Sequence, residues 1–274
     1  MPRREFPVGV LGRRAEAWLS GEGTEAARPR SAATVMLVRD GADGVEVFML
    51  RRVSTMDFAP RMWVFPGGGV DLRDDAPDLP WAGPSPAEWA ELLGTDEGLA
   101  RALVSAAVRE VFEECGVLLA GPSADTVVRD LRDPEWDRDR AALLDRGQSL
   151  SEMLLRRRLV LRSDLLAARA HWLTPPFEPR RYDTWFFAAL LPPGQVPDDD
   201  TSEADHADWT MPKRLLQAHE RGEALMLPPT IVAVEEVAAA RSAASLISSS
   251  RVSEAVMPDL VERDGHVLLS VDLP

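Results

Sequence analysis

A stripe of apolar residues at helical spacing constrains the fold of this chain more than any other feature. The stripe consists of Val104, Val108, Val111 and Cys115. It predicts a helix over about residues 99–115 that buries one face against a sheet. Gly116 follows directly, and glycine ends a helix at little conformational cost. Because strand-like segments lie on both sides, we expect an α/β or α+β fold in which a mixed β-sheet packs between helices.

The other face of the predicted helix carries three carboxylates, Glu110, Glu113 and Glu114. Each like-charged pair at this spacing costs about 0.2–0.5 kcal/mol even in water. A divalent cation among the carboxylates removes that repulsion, and hard oxygen ligands suit Mg²⁺. Arg109 stands four residues before Glu113 and can orient its carboxylate. The pattern indicates a metal site, although glutamate-rich helix faces taken alone are more often only solvated.

A glycine-rich turn upstream favours the metal site. Residues 62–65 predict a short apolar strand, which Pro66 and the glycines at 67–69 interrupt. Glycines let a backbone carbonyl approach a ligand that a side chain would block. A strand, a glycine turn and a carboxylate helix in this combination resemble the Nudix hydrolase family, whose signature reads G-x5-E-x7-R-E-U-x-E-E-x-G-U, where U is apolar.

The second half of that signature matches position by position over residues 109–117. Counting back from Arg109 places the isolated glutamate at Arg101 and the opening glycine at Thr95, so the first half does not match there. The glycines at 67–69 instead imply a signature split by an insertion over 72–98. This insertion is rich in Asp, Pro, Trp and Gly, and we expect a surface loop.

A split signature after an apolar strand resembles the branch of Nudix proteins that contains peroxisomal coenzyme A diphosphatases. The pairing of residues 172–175 with residues 179–187 also resembles that branch. The resemblance covers about residues 30–240. It implies a Nudix-type α/β/α sandwich and hydrolysis of the diphosphate linkage of a nucleoside diphosphate derivative with Mg²⁺ or Mn²⁺ as cofactor.

The resemblance also implies roles for individual residues. Its expected metal ligands are Glu110, Glu113, Glu114 and a backbone carbonyl of Gly67 or Gly68. Glu113 is expected to bind a first or a second ion, and Arg109 is expected to orient the carboxylates. Glu113, Glu114 and Arg109 would thus act in catalysis together with a general base.

The general base cannot be assigned from the signature, because Arg101 occupies the position that counting back from Arg109 gives to the isolated glutamate. In several branches of the family a glutamate in a later loop takes the role. Glu203, six residues before Trp209, matches best, with Asp205 and His206 as alternatives. A solvated loop acid is an equally good interpretation of Glu203.

Two arginines are candidate substrate-binding residues. Arg51 and Arg52 leave a predicted strand toward the glycine turn and could bind substrate phosphates. A surface charge is the better interpretation for at least one of them.

The expected organisation is an N-terminal arm over 1–30, a Nudix domain over 31–247 and a C-terminal tail with a strand over 248–274. Apolar spacing predicts a second, helical insertion over 122–170. The segment at 184–191 is almost wholly apolar and is expected to be a central strand. Helices are predicted over 212–221 and 230–247.

Composition excludes several kinds of protein. A formal charge of −14 argues against non-specific binding to nucleic acid or an anionic membrane. No apolar run approaches the roughly 18 residues of a membrane span, and a single cysteine excludes an internal disulfide. Neither a secretory signal nor a peroxisomal Ser-Lys-Leu end is present, so we expect a cytoplasmic protein.

The favoured partner is a small nucleotide-derived substrate, coenzyme A or an acyl-CoA. The alternatives are a diphosphatase for ADP-ribose or a nucleotide sugar, and a non-catalytic nucleotide-sensing module. The intact Arg-Glu-x-x-Glu-Glu set favours an enzyme, whereas the absence of glutamate at 101 is the best support for a sensor. The sequence leaves open whether the protein forms a homodimer.

Overall fold

A computed structural model describes residues 3–22, 25–53, 61–198, 204–248, 250–251 and 254–273. Within these ranges the strands are β1 (Arg3–Pro7), β2 (Arg30–Gly41), β3 (Gly44–Arg52), β4 (Trp63–Val64), β5 (Gly67–Gly69), β6 (Trp81–Ala82), β7 (Ala120–Gly121), β8 (Val160–Arg162), β9 (Leu166–Leu173), β10 (Tyr182–Leu190), β11 (Ala204–Thr210), β12 (Asp259–Arg263) and β13 (His266–Asp272). The α-helices are α1 (Gly12–Leu19), α2 (Pro86–Leu93), α3 (Glu97–Cys115), α4 (Pro134–Leu144), α5 (Leu150–Arg157), α6 (Pro212–Glu220), α7 (Pro228–Ala239) and α8 (Ala243–Ile247). Short 3-10 helices cover Gly9–Leu11, Leu72–Asp74 and Ser163–Leu165.

The central sheet is mixed. Its strand order among the described residues is β11-β3-β2-β10-β9, with β4 paired to β3 and β5 paired to β2. Strand β10 runs parallel to β2 and antiparallel to β9. Trp185 to Ala189 in β10 are all buried, which explains why this strand is almost wholly apolar. The prediction of a central strand here is confirmed.

Helices cover both faces of this sheet. Along β2 the buried residues alternate between two cores: Val35 and Leu37 pack with helices α2 to α5, and Met36 and Val38 pack with α1 and α6 to α8. This alternation follows from the two-residue period of a strand. The predicted α/β/α sandwich with a mixed sheet is confirmed.

Helix α3 forms as the apolar stripe predicts. Its stripe residues Val104, Val108, Val111 and Cys115 are fully buried. Asp96 caps the start of the helix by accepting a hydrogen bond from the Leu99 backbone N–H at 2.9 Å. Gly116 ends it in the left-handed conformation, with φ 65°.

The insertion over 72–98 differs from its prediction as a surface loop. Part of it folds into α2, which begins with a capping box between Ser85 and Glu88 and ends at the left-handed Gly94. Trp89 and Leu93, one helical turn apart, are buried in the same core as α3. This part of the insertion is therefore a packed helix, because its apolar face needs cover.

Three further predictions need correction. The N-terminal arm expected over 1–30 is in part packed on the domain, because β1 pairs with β13 and Phe6, Leu11 and Ala15 are buried. The helix predicted over 230–247 is divided into α7 and α8, since Ser242 caps a new helix. The insertion predicted over 122–170 is helical only in α4 and α5, and its last part forms the strand β8 and the start of β9. No helix in the described part of the chain is long and apolar enough to cross a membrane.

Candidate active site

The glycine strand β5 lies directly against the carboxylate face of α3. The backbone N–H of Gly67 donates a hydrogen bond to Glu114 Oε2 at 2.9 Å. A Cβ atom added to Gly68 would lie 2.5 Å from Glu110 Oε1. Since real Cβ atoms are not found so close to an oxygen, a side chain at position 68 would force the Glu110 carboxylate to move. The structure thus brings together the glycine turn and the helix that the sequence separates by an insertion.

This contact makes a test of the strand possible. Gly68→Ala should displace the Glu110 carboxylate; with Glu110 as the expected metal ligand, activity should fall roughly 10- to 100-fold, the usual loss when a group supporting a metal site is disturbed. Gly69→Ala is the matched control, because its Cβ would meet only Ser31 O at 4.0 Å. Steady-state kinetics of both variants checks the prediction. Equal activities would show that Glu110 needs no glycine at its side.

Arg109 connects the parts of the site. Its guanidinium donates hydrogen bonds to Glu110 Oε1 at 2.6 Å, to Glu113 Oε2 at 3.1 Å and to the Gly69 carbonyl oxygen at 2.9 Å. Two more bonds, each 3.0 Å, reach the two carboxylate oxygens of Asp74. Burial lowers the pKa of Arg109, but the bonds to Asp74 and the nearby carboxylates raise it more, so it stays charged. Arg109 therefore has several partners, whereas its spacing in the sequence predicts only Glu113.

Asp74 is the site residue that sequence reasoning missed. It is 3% exposed and ends the 3-10 helix at the start of the insertion. Counted forward from Gly68, it stands at the place of the isolated glutamate in G-x5-E, with aspartate in place of glutamate. Arg101, which counting back from Arg109 assigned to that place, pairs instead with Asp75 and Glu97. The signal was therefore present, but at the start of the insertion rather than at its end.

The three glutamates are buried, which affects their charge. Glu110, Glu113 and Glu114 are each 8% exposed. Burial raises the pKa of Glu110 to about 7; the charge of Arg109 opposes this rise and the charge of Glu113 adds to it. A site that buries three carboxylates on one helix face is electrostatically suited to a cation.

The donor chemistry fits Mg²⁺ or Mn²⁺, although the side-chain geometry is not that of a closed metal shell. Among the described residues, no group of three Asp, Glu, His or Cys side chains is arranged to hold a metal ion. Arg109 and the Gly67 amide hydrogen-bond to oxygens of the three glutamates. The carboxylates and Gly67–Gly69 nevertheless line one open cavity of about 680 Å³. Carboxylate and carbonyl oxygens are the ligands that hard cations prefer.

The candidate substrate-binding arginines and the candidate general bases lie in different parts of the structure. Arg52 lines a small cavity with Gly67 and Glu114, whereas Arg51 donates a hydrogen bond to Asp205 at 2.7 Å on the edge of the sheet. The His206 ring packs edge-on against Trp63. Glu203 lies outside the described residues. The structure thus brings Arg52 to the site and gives Arg51 a different partner.

Comparisons with known proteins agree with this fold. A family model for the NUDT19 Nudix domain matches residues 94–237. The crystal structure of a NUDIX hydrolase from Alicyclobacillus acidocaldarius is similar with a TM-score of 0.68 and 30% identity, covering 83% of this chain and 99% of that chain. The chain belongs to the Nudix hydrolase family.

Within the family, similarity extends to two proteins named acyl-coenzyme A diphosphatase NUDT19. The protein of Gallus gallus is 28% identical over 259 residues, and the protein of Xenopus laevis is 25% identical over 227 residues. The matches cover 73% and 67% of this chain, and 65% and 57% of the two relatives. This chain therefore spans less than two thirds of the length of either relative.

Proposed function

We propose that this hydrolase cleaves the diphosphate linkage of coenzyme A or an acyl-CoA and depends on Mg²⁺ or Mn²⁺. The observation that carries the proposal is the cluster of Glu110, Glu113 and Glu114 around Arg109 against the glycine strand. Three buried carboxylates are costly unless they serve a cation. The names of the two relatives support coenzyme A derivatives as the substrate class.

Each residue of the cluster has a distinct part in this proposal. A bound divalent cation supplies positive charge for the diphosphate oxygens and makes water a better nucleophile. Glu110, Glu113 and Glu114 would hold it, together with a carbonyl of Gly67 or Gly68. Arg109 keeps the carboxylates in position, and Arg52, beside Glu114, is suited to bind a phosphate oxygen.

A hydrolysis panel tests the proposal. Coenzyme A, octanoyl-CoA, ADP-ribose and a nucleotide sugar would be incubated with Mg²⁺ or Mn²⁺ and the products resolved by mass. We expect coenzyme A to yield 3′,5′-ADP and 4′-phosphopantetheine, and EDTA to abolish turnover. Preferred cleavage of ADP-ribose or the nucleotide sugar would favour that alternative. Binding of a nucleotide without turnover of any substrate would favour a sensing module.

We propose Glu203 as the general base. Ala204, the next residue, lines the small cavity beside Glu114, so the chain reaches the site at this point. Glu203→Gln should lower kcat far more than it raises KM, because a base acts on the transition state. Kinetics of Asp205→Asn and His206→Gln provide the comparison. Loss of kcat in either of these, with Glu203→Gln fully active, would assign the role to that residue.

A further inference from the structure

The glycine strand β5 borders two cavities of different chemistry. The larger, of about 680 Å³, contains the three glutamates and has Arg30 and Arg146 among its lining residues. The other, of about 500 Å³, is lined mainly by aliphatic, proline and aromatic side chains, and its charged lining residues are Arg52, Glu178 and Arg180. Gly67–Gly69 and Tyr182 contribute to both. The two cavities therefore adjoin at the glycine strand and Tyr182.

The second cavity, which we call the apolar cavity, is built from distant parts of the chain. Its inner wall includes Leu173 at the end of β9 and Leu227 just before α7. Leu11 from the N-terminal segment and Leu269 from β13 complete it. These two leucines lie outside the residues matched by the Nudix family model. The terminal segments thus contribute to the wall of this cavity.

A buried carboxylate at this cavity has unused hydrogen-bonding capacity. Glu178 lines the apolar cavity and is 2% exposed. Its Oε2 accepts a hydrogen bond from Arg14 Nη1 at 2.6 Å, whereas its Oε1 has no hydrogen-bond partner in the part of the chain that the structure describes. Buried acceptors are nearly always paired. The unpaired oxygen therefore points to a ligand that carries an N–H group.

We propose that the apolar cavity binds the acyl arm of the substrate, an apolar chain joined to the diphosphate through an amide-containing linker. The inference rests on the proposed function for the position of the diphosphate. Apolar walls favour a hydrocarbon chain, and an amide N–H of the linker can pair with Glu178. The nucleotide half then lies in the larger cavity, where the guanidinium groups of Arg30 and Arg146 suit phosphates.

Filling the apolar cavity tests the assignment. Leu173→Trp adds volume at a half-buried position, and Leu227→Trp fills the same cavity from a second position. Leu190→Trp is the matched control: Leu190 is the half-buried last residue of the neighbouring strand β10 and packs in the core. Calorimetry would measure binding of octanoyl-CoA and free coenzyme A in EDTA, so that no turnover occurs.

We expect the wild type and Leu190→Trp to bind octanoyl-CoA at least tenfold more tightly than coenzyme A. Either filled variant should lose this preference while it still binds coenzyme A. Equal affinities in the wild type, or an unchanged preference in both filled variants, would overturn the inference. Equal weakening of both ligands would assign the cavity to the part they share and also overturn it. A protein that prefers octanoyl-CoA but hydrolyses nothing in the panel would refute only the proposed function.

Discussion

Glu114→Gln is expected to lower kcat by about 10³-fold, because charge stabilisation by a metal contributes several kcal/mol and each 1.4 kcal/mol is tenfold in rate. Glutamine has nearly the same shape and keeps an oxygen that can accept the hydrogen bond from the Gly67 amide. The fold should therefore persist, and circular dichroism and the melting temperature would check this. Only the charge that the proposed cation requires is removed.

The same helix offers a matched control for this variant. Glu97 is an exposed residue of α3 that pairs with Arg101 away from the site, so Glu97→Gln should retain kcat. Mg²⁺ or Mn²⁺ should raise the melting temperature of the wild type and Glu97→Gln, since a ligand that binds the native state stabilises it. The shift should be much smaller in Glu114→Gln. Equal shifts in all three proteins would remove Glu114 from the metal site.

Local periodicity explains which features could be predicted from the sequence. The stripe from Val104 to Cys115 and the opposed glutamates follow from helical spacing alone. The apolar run in β10 similarly identifies a buried central strand. Each of these signals lies within one element, so no knowledge of distant contacts was needed. The roles of the glutamates stay predictions that the variants above test.

Features that depend on distant pairing could not be predicted in this way. The strand β1 forms because Arg3 to Pro7 pair with residues at the far end of the chain, and its own sequence is charged and short. The apolar cavity likewise needs Leu11 and Leu269, from opposite ends of the chain, to line the same space. No spacing within either segment carries that information.

The insertion is a third case, because its sequence contains signals that predict a helix and a site residue. Ser85, Pro86 and Glu88 form a helix start that the sequence displays. Asp74 was missed because counting back from Arg109 places the glutamate at Arg101, before the count reaches the start of the insertion. Counting forward from Gly68 finds a carboxylate at the required spacing. The insertion therefore separates the two halves of the signature in sequence, but the fold brings them together at one site.

Asp74 links the insertion to the function of the site. It binds Arg109 through both carboxylate oxygens, and its Oδ2 also accepts a hydrogen bond from the Asp71 backbone N–H at 2.8 Å. Farther along, α2 packs against α3. The insertion thus holds the carboxylate helix at two places, once through a buried ion pair and once through a buried apolar face.

Asp74→Asn should therefore affect stability and activity together. Removing one partner of a buried ion pair costs about 3 kcal/mol of unfolding free energy, because Arg109 keeps its charge but loses a bidentate partner. A guanidinium that shifts also shifts Glu110 and Glu113, so kcat should fall roughly 10- to 100-fold. Urea denaturation and steady-state kinetics measure the two effects.

Two companion variants separate charge from position. Asp75→Asn changes the adjacent exposed residue, which pairs with Arg101, and should alter stability by no more than about 0.5 kcal/mol. Asp74→Glu restores the residue of the family signature and keeps the charge, so it should retain more activity than Asp74→Asn. If Asp74→Asn kept wild-type kcat, Glu110, Glu113 and the Gly69 carbonyl would suffice to position Arg109. The insertion would then hold the carboxylate helix only through the packing of α2 against α3.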